Sequence, residues 1–398
     1  MERASGQSTR NRCAVSAIRT TSDRLRSKTG SGLPSGSIPV RFRAAQITWQ
    51  HRIAEKVRQT RQDAGSIGFG RARRMIKQPE KYQDFQDPQA RPRYAGIATF
   101  FRTPASEQTA DVDIGIIGVP FDGGVTNRTG TRHGPRAVRE QSTLLRRINS
   151  VTRITPFASA RVCDLGDCWI EQPYEIQGAL KEIETFYRIV TTAGIVPLSV
   201  GGDHAISLPI LRAVAAKRPV GMIHIDAHCD TGDDYMGSRF HHGAPFRRAV
   251  EEGLLDPRRV IQIGIRGTTN DPDMWGFSQR SGMRVLPMEE FDDKGWRYAA
   301  EEARRVAGGG PIYLSFDIDS LDPSQAPGTG TPEAGGITIL QALRLLRTLR
   351  GIDFVGGDLV EVSPPFDVGS LTAFNGASVL FEILCLLTEA WEARRGPR

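Results

Sequence analysis

The stretch VGMIHIDAHCD, residues 220–230, decides the fold. Residues 220–225 are an apolar run too short for a core helix but long enough for a strand buried on both faces. The run ends in Asp226, His228 and Asp230, separated only by Ala227 and Cys229. An extended backbone sends alternate side chains the same way, so the three polar groups are expected on one side of the chain where the strand stops.

The same pattern recurs outward from this point. Apolar runs at residues 114–119, 196–200, 260–265, 312–316 and 354–359 alternate with helix-like stretches such as 175–193 and 339–350. Alternation of this kind predicts an α/β domain with a mostly parallel, doubly wound sheet, its site lying outside the carboxyl ends of the strands. Two further runs end as the first does: SVGGDH places His204 after one strand, and LSFDIDSLDP places Asp317, Asp319 and Asp322 after another.

Carboxylates and imidazoles gathered at one sheet edge repel and resist burial unless cations neutralise them. His204, Asp226, His228, Asp230, Asp317 and Asp319 are therefore read as metal ligands. Acids and imidazoles without thiolate select a hard to borderline divalent ion, Mn²⁺ first, with Zn²⁺, Ni²⁺ or Co²⁺ as alternatives. Six ligands suit two ions on the order of 3.5–4 Å apart that hold an ionised water between them. The competing reading, that these are ordinary caps and core residues, needs three independent coincidences. Only for Asp322, in a turn-like D-P, does the capping role take precedence.

Two other features add to the site. FHHGAPF offers His241 and His242 in a glycine-containing loop, either of which can shuttle a proton. Glu361, in DLVEVSPP, follows the run 354–359 and can pair with a planar cation in bidentate fashion. The loop after residues 114–119 is glycine-rich but has neither G-x-G-x-x-G nor a Walker lysine, which argues against nucleotide binding.

Composition bounds the rest. The chain has 398 residues, 39% hydrophobic and 24% charged, which suits one large domain with an appendage. Its net charge of +7 is uneven, since residues 1–74 hold 16 Lys+Arg against 4 Asp+Glu and leave 36 against 41 to residues 75–398. Residues 1–74 are read as a basic, largely disordered extension and 75–398 as the catalytic domain. Within the extension, residues 48–64 have the pattern of a short amphipathic helix, followed by a Gly- and Arg-rich linker. The extension also has the composition of an organellar transit segment, so a cytoplasmic location is expected unless it directs the chain to mitochondria. Five scattered cysteines form no C-x-x-C pair, and no continuous apolar window of about 18 residues is present. A soluble, non-secreted protein without specific nucleic-acid or membrane partners is the expectation.

Together GGDH, DAHCD, HHG, SFDIDSLDP and EVSPP resemble the ureohydrolase family of arginases and agmatinases, in motif and in order, from about Tyr94 to Leu387. The resemblance implies a three-layer αβα arginase-like fold and two Mn²⁺ ions. His204, Asp226, Asp230 and Asp317 would hold one, and Asp226, His228, Asp317 and Asp319 the other. It selects His242 as proton shuttle and Glu361 as the carboxylate that holds a guanidinium.

Within the family, GVPFDGG, TNR, RHGPR and FRRAVEEGLLDP look like the agmatinase branch, closest to enzymes acting on 3-guanidinopropionate and 4-guanidinobutyrate. The implied activity is hydrolysis of agmatine or a short guanidino acid to urea and an amine, by a homo-oligomer, trimer or hexamer. Tyr235, Asn127 and Arg128 are the expected substrate contacts, while Gly232 departs from the Asn that acid-specific relatives often carry. The rival readings are a formimidoylglutamase-type amidine hydrolase and a metal-bound scaffold without activity.

Overall fold

The chain is described by a computed structural model covering residues 92–269 and 272–396. The expected helix at 48–64, the linker after it and the basic extension lie outside the described residues.

Eight parallel strands form one sheet: β1 (Ile114–Val119), β2 (Val162–Asp167), β3 (Val196–Gly201), β4 (Val220–Ile225), β5 (Leu255–Ile265), β6 (Arg284–Pro287), β7 (Ile312–Asp317) and β8 (Phe354–Val360). Their order across the sheet is β2-β1-β3-β8-β7-β4-β5-β6. All six apolar runs are strands. The two strands that the hydrophobic pattern does not reveal are the edges: β2 reads VCDLGD and is half polar, and β6 is the four-residue RVLP. An edge strand has one neighbour and partial solvent contact, so it is not obliged to be continuously apolar.

Alternation along each strand divides the core into two layers. Ile223, Ile225, Leu314 and Phe316 face one way, against α6 (Met288–Ala307), α7 (Ile339–Thr348) and α8 (Leu371–Arg395). Val220, Met222, Val260 and Tyr313 face the other, against α2 (Ile176–Thr192), α3 (Ser207–Val214) and α4 (Pro245–Glu251). Two further helices, α1 (Gly134–Ser142) and α5 (Gly276–Ser281), flank the sheet. The result is the three-layer αβα arrangement.

Helix α8 is long and apolar enough by composition to cross a membrane, yet 83% of its apolar window is buried inside the fold. It is a core helix, and its buried Glu382 is held by Arg347 at 2.6 Å and Asn149 at 2.8 Å. Helix α7 begins with a capping box in which the Thr338 side chain and Gln341 satisfy each other's free backbone N–H groups.

The strand order jumps between β3 and β8, and the carboxyl ends of β3, β8, β7 and β4 therefore lie side by side. Gly202 makes this junction possible. Its φ is +37°, and a Cβ there would sit 2.4 Å from the Phe121 carbonyl and 2.5 Å from that of Val119. Gly202→Ala is expected to cost about 3 kcal/mol through crowding and backbone strain. Gly351→Ala, also at positive φ but with open space around it, should cost only about 1 kcal/mol. Thermal unfolding of the two variants compares them, and equal losses would show that crowding does not explain Gly202.

Candidate metal centre

Each polar cluster begins where a strand ends. After β3, Asp203 accepts from Ala205 N at 2.9 Å and Gly124 N at 2.7 Å, which turns His204 inward until it is fully buried. After β4 the chain is not extended as the sequence pattern suggests. It bends, with His228 N donating to Asp226 Oδ1 at 2.5 Å and Asp230 adopting a φ of +50°. The bend, rather than strand alternation, gathers Asp226, His228 and Asp230. At the end of β7, Asp317 accepts from Asp319 N at 2.8 Å and caps the 3₁₀ turn Ile318–Ser320.

The histidines meet the carboxylates through Nδ1. His204 Nδ1 lies 3.2 Å from Asp226 Oδ2, 2.8 Å from Asp230 Oδ2 and 3.2 Å from Asp317 Oδ2. His228 Nδ1 lies 3.1 Å from Asp319 Oδ2 and 3.5 Å from Asp226 Oδ1. The donor atoms of His204, Asp226, Asp230 and Asp317 all fall within 4.8 Å of one another, as do those of Asp226, His228 and Asp319. Asp226 belongs to both groups. Although three acids surround it, the buried His204 Nδ1 makes no well-directed hydrogen bond.

One pattern runs through four carboxylates: one oxygen is tied to a backbone N–H and the other is left to side chains, Asp226 Oδ2 meeting His224 Nε2 at 2.7 Å and Asp319 Oδ2 the Thr331 hydroxyl at 3.3 Å. Asp226 Oδ1 takes His228 N, Asp319 Oδ1 takes Ala227 N at 3.2 Å, Asp317 Oδ1 takes Asp319 N, and Glu361 Oε1 takes His204 N at 2.8 Å. The Oδ2 atoms of Asp226, Asp317 and Asp319 turn toward the histidines, and Glu361 Oε2 is buried with no partner. Burial and the neighbouring charges of Asp319 and Asp226 push Asp317 well above the ordinary carboxylate range. His204 is driven far upward because, despite the burial that opposes its charge, three carboxylates demand a cation. These residues fit a pair of divalent ions.

Other side chains hold these residues in place, and none of them stands out in the sequence. His204 Nε2 meets Ser315 Oγ at 2.8 Å, and Ser315 donates to the buried Asp358 Oδ1 at 2.7 Å. Asp358 is also held by Ser207 at 2.7 Å and Tyr313 at 2.8 Å. His224 Nε2 reaches Asp226 Oδ2 at 2.7 Å, with its Nδ1 3.2 Å from Gln262 Nε2. Because Gln262 Nε2 also donates to Cys229 O at 2.6 Å, its amide nitrogen faces the ring, and the His224 proton belongs on Nε2, toward Asp226. The guanidinium of Arg266 donates to the carbonyls of Asp319 at 2.8 Å and Glu333 at 2.7 Å and so fastens the turn that carries Asp319.

His241 and His242 have different surroundings. The His242 ring is almost buried, with Nδ1 3.1 Å from Glu361 Oε1 and Nε2 2.8 Å from Thr126 Oγ1. His241 points to Asp233 O at 3.3 Å, away from the ligands. A cavity of about 610 Å³ opens onto Asp230, Asp317, His228, His242 and Thr126. Of the expected substrate contacts, none lines it. Tyr235 is 46% exposed with its ring 5.8 Å from that of His241, Asn127 is exposed, and the Arg128 guanidinium stacks 3.8 Å over the Phe366 ring. Asp322 organises a turn by accepting from Ser324, Gly335 and Gly336 N–H groups. Burial raises the Cys229 thiol to about 12, which leaves it unreactive. A larger hollow of about 750 Å³ beside Arg93 and Arg136 contains none of the clustered histidines and aspartates.

The sequence matches the arginase family over residues 112–386. It is 57% identical over 300 residues to the guanidinopropionase of Pseudomonas aeruginosa, an alignment covering 75% of this chain and 94% of that protein. It is 47% identical over 299 residues to the human mitochondrial guanidino acid hydrolase, covering 75% of this chain and 84% of the relative. Among solved structures, proclavaminate amidino hydrolase from Streptomyces clavuligerus superposes with a TM-score of 0.72 at 38% identity, covering 75% of this chain and 99% of that one.

Removing the groups that orient His204 should loosen metal binding without unfolding the chain. Ser315→Ala and Asp358→Asn are each expected to weaken metal affinity by roughly 10–100-fold. Titration with a competing chelator measures it, and wild-type affinity in both variants would remove Asp358 from this role.

Proposed function

The chain belongs to the arginase family, and from that premise we propose that it hydrolyses a short guanidino acid, with a chain length close to that of 3-guanidinopropionate, to urea and an amine. The observation that carries this is the shared Asp226 between two ligand groups, set beside a buried Glu361 whose Oε2 has no partner. The 57% identity to a guanidinopropionase favours an acidic substrate over agmatine.

In this reading His204, Asp226, Asp230 and Asp317 hold one ion and Asp226, His228, Asp317 and Asp319 the other, with Mn²⁺ the ion best matched to the donor set. A pair of such ions supplies Lewis acidity and lowers the pKa of a water to near neutrality. Glu361 binds the guanidinium. Its Oε1 is engaged by His204 N and His242, and Oε2 remains for an N–H of the substrate. His242 provides the proton for the departing amine. Burial opposes its charge, but the hydrogen bond and the charge of Glu361 prevail and raise it to about 9.

The proposal extends to assembly and location. Leu144, Ile148 and Phe374 surround a surface groove and remain 39–50% exposed, apolar area of the kind that self-association covers. Self-association is proposed on this basis, and the family likeness favours a trimer or hexamer. The basic composition of residues 1–74 fits a transit segment, and cytoplasmic residence is the reading without it.

Two experiments test the function. Metal-loaded protein offered 3-guanidinopropionate, 4-guanidinobutyrate, agmatine, arginine and guanidine in parallel should release urea, fastest from a guanidino acid. Preference for agmatine would refute the acidic substrate, and release of formamide from a formimidoyl substrate with no urea from any would refute the reaction. Asp226→Ala should lose activity and reduce bound metal below two ions per chain, read by elemental analysis. Two ions and full activity in that variant would overturn the ligand assignment.

A further inference from the structure

Both ring nitrogens of His242 are already occupied by protein. Nδ1 faces Glu361 Oε1 at 3.1 Å and Nε2 faces Thr126 Oγ1 at 2.8 Å. The ring is nearly buried, whereas Thr126 is only partly so and lines the cavity. The Thr126 hydroxyl therefore stands at the one nitrogen through which a proton can leave toward the cavity.

Nor is the contact a loose side-chain encounter. His242 N donates to Gly124 O at 2.9 Å and Gly124 N donates to Asp203 Oδ2 at 2.7 Å, which ties the loop carrying Thr126 to both sides of the site. Farther along the loop, Gly130 N donates to Asp122 Oδ2 at 2.9 Å.

We infer that Thr126 relays the proton from His242 to the departing amine. This rests on the proposed role of His242. As the C–N bond breaks, its electron pair remains on nitrogen, which takes the proton of the Thr126 hydroxyl. Thr126 Oγ1 takes the proton from His242 Nε2, leaving threonine unchanged and the imidazole neutral. A hydroxyl suits this position because it accepts from the charged ring and donates to the neutral one, so the contact persists through the cycle. An amide or a carboxylate would favour one state.

Thr126→Val, Thr126→Ser and His242→Ala test it. Steady-state turnover is measured with an alkylguanidino substrate and with the oxyguanidino analogue, whose alkoxyamine leaving group is much less basic. Bound metal and circular dichroism establish that each variant is folded and loaded. Thr126→Val should lower kcat by about 10²-fold, with KM little changed. The loss should shrink with the less basic leaving group, and Thr126→Ser should recover most of it. In ¹⁵N-histidine NMR the His242 Nε2 resonance should shift in the Val variant and return in the Ser variant.

Thr126→Val with unchanged kcat, or with equal losses for both leaving groups, would overturn the relay while leaving His242 in its role. Wild-type turnover in His242→Ala would overturn the role of His242 and the relay with it.

Discussion

Mutual repulsion among buried carboxylates is the constraint on which this structure depends. Asp203, Asp226, Asp317, Asp319 and Glu361 are all nearly or fully buried at one edge of the sheet. Like charges at such separations are costly in a low-dielectric interior, and two simple escapes, exposure to water and pairing with Lys or Arg, would each destroy a metal site. The ion pairs made by Asp226, Asp317, Asp319 and Glu361 are instead with histidines, which unlike arginine can give up their charge. Part of the tension stays in the protein. Asp203 is lifted to about 7, first by burial and then by the charge of Glu361.

The fold meets this constraint with the backbone. Parallel strands ending side by side bring several chain reversals to one place, and each reversal presents N–H groups with no partner in the sheet. Those groups engage one oxygen of Asp226, Asp317, Asp319 and Glu361 and both oxygens of Asp203. The same device turns Asp317 and Asp203 into caps for short 3₁₀ turns and aims Asp319 and His204. Positive charge enters only at a distance, as in Arg266, which grips the carbonyls of the Asp319 turn without approaching its carboxylate as a hydrogen-bond partner. Such an arrangement stabilises the acids without spending their coordinating capacity.

The histidines are tuned by the opposite route, through their far nitrogens. Ser315, itself held by Asp358, meets Nε2 of His204, and Glu333 stands 3.9 Å from Nε2 of His228, so both rings present Nδ1 inward. His224 is a third imidazole in the same layer, packed edge-to-face against His204 and Phe246 with ring centroids at 5.3 Å and 4.5 Å. It serves Asp226 as a hydrogen-bond donor. A buried network of this kind is stable only when nearly every member has a partner.

Hydrophobic runs and the acids that end them are local features, so six interior strands, the parallel sheet and the six histidines and aspartates that cluster at its edge were legible in order along the chain. Full burial obliges the interior strands to be apolar, and buried acids are rare enough to be conspicuous. The edge strands β2 and β6 escaped because one-sided contact relaxes that demand. The bend that gathers Asp226, His228 and Asp230 was also beyond the pattern, since a period of two describes a strand and not the turn after it. Asp358 and Gln262 lie within strands and read as ordinary polar residues, and Thr126 reads as one more loop residue. Their duties arise from partners 43, 38 and 116 positions away. By itself the sequence determined which side chains converge, because that follows from where strands end. Only the tertiary structure decided which atom of each faces the centre and which loop residue touches His242, because hydrogen bonds between distant segments exist only once the layers have packed.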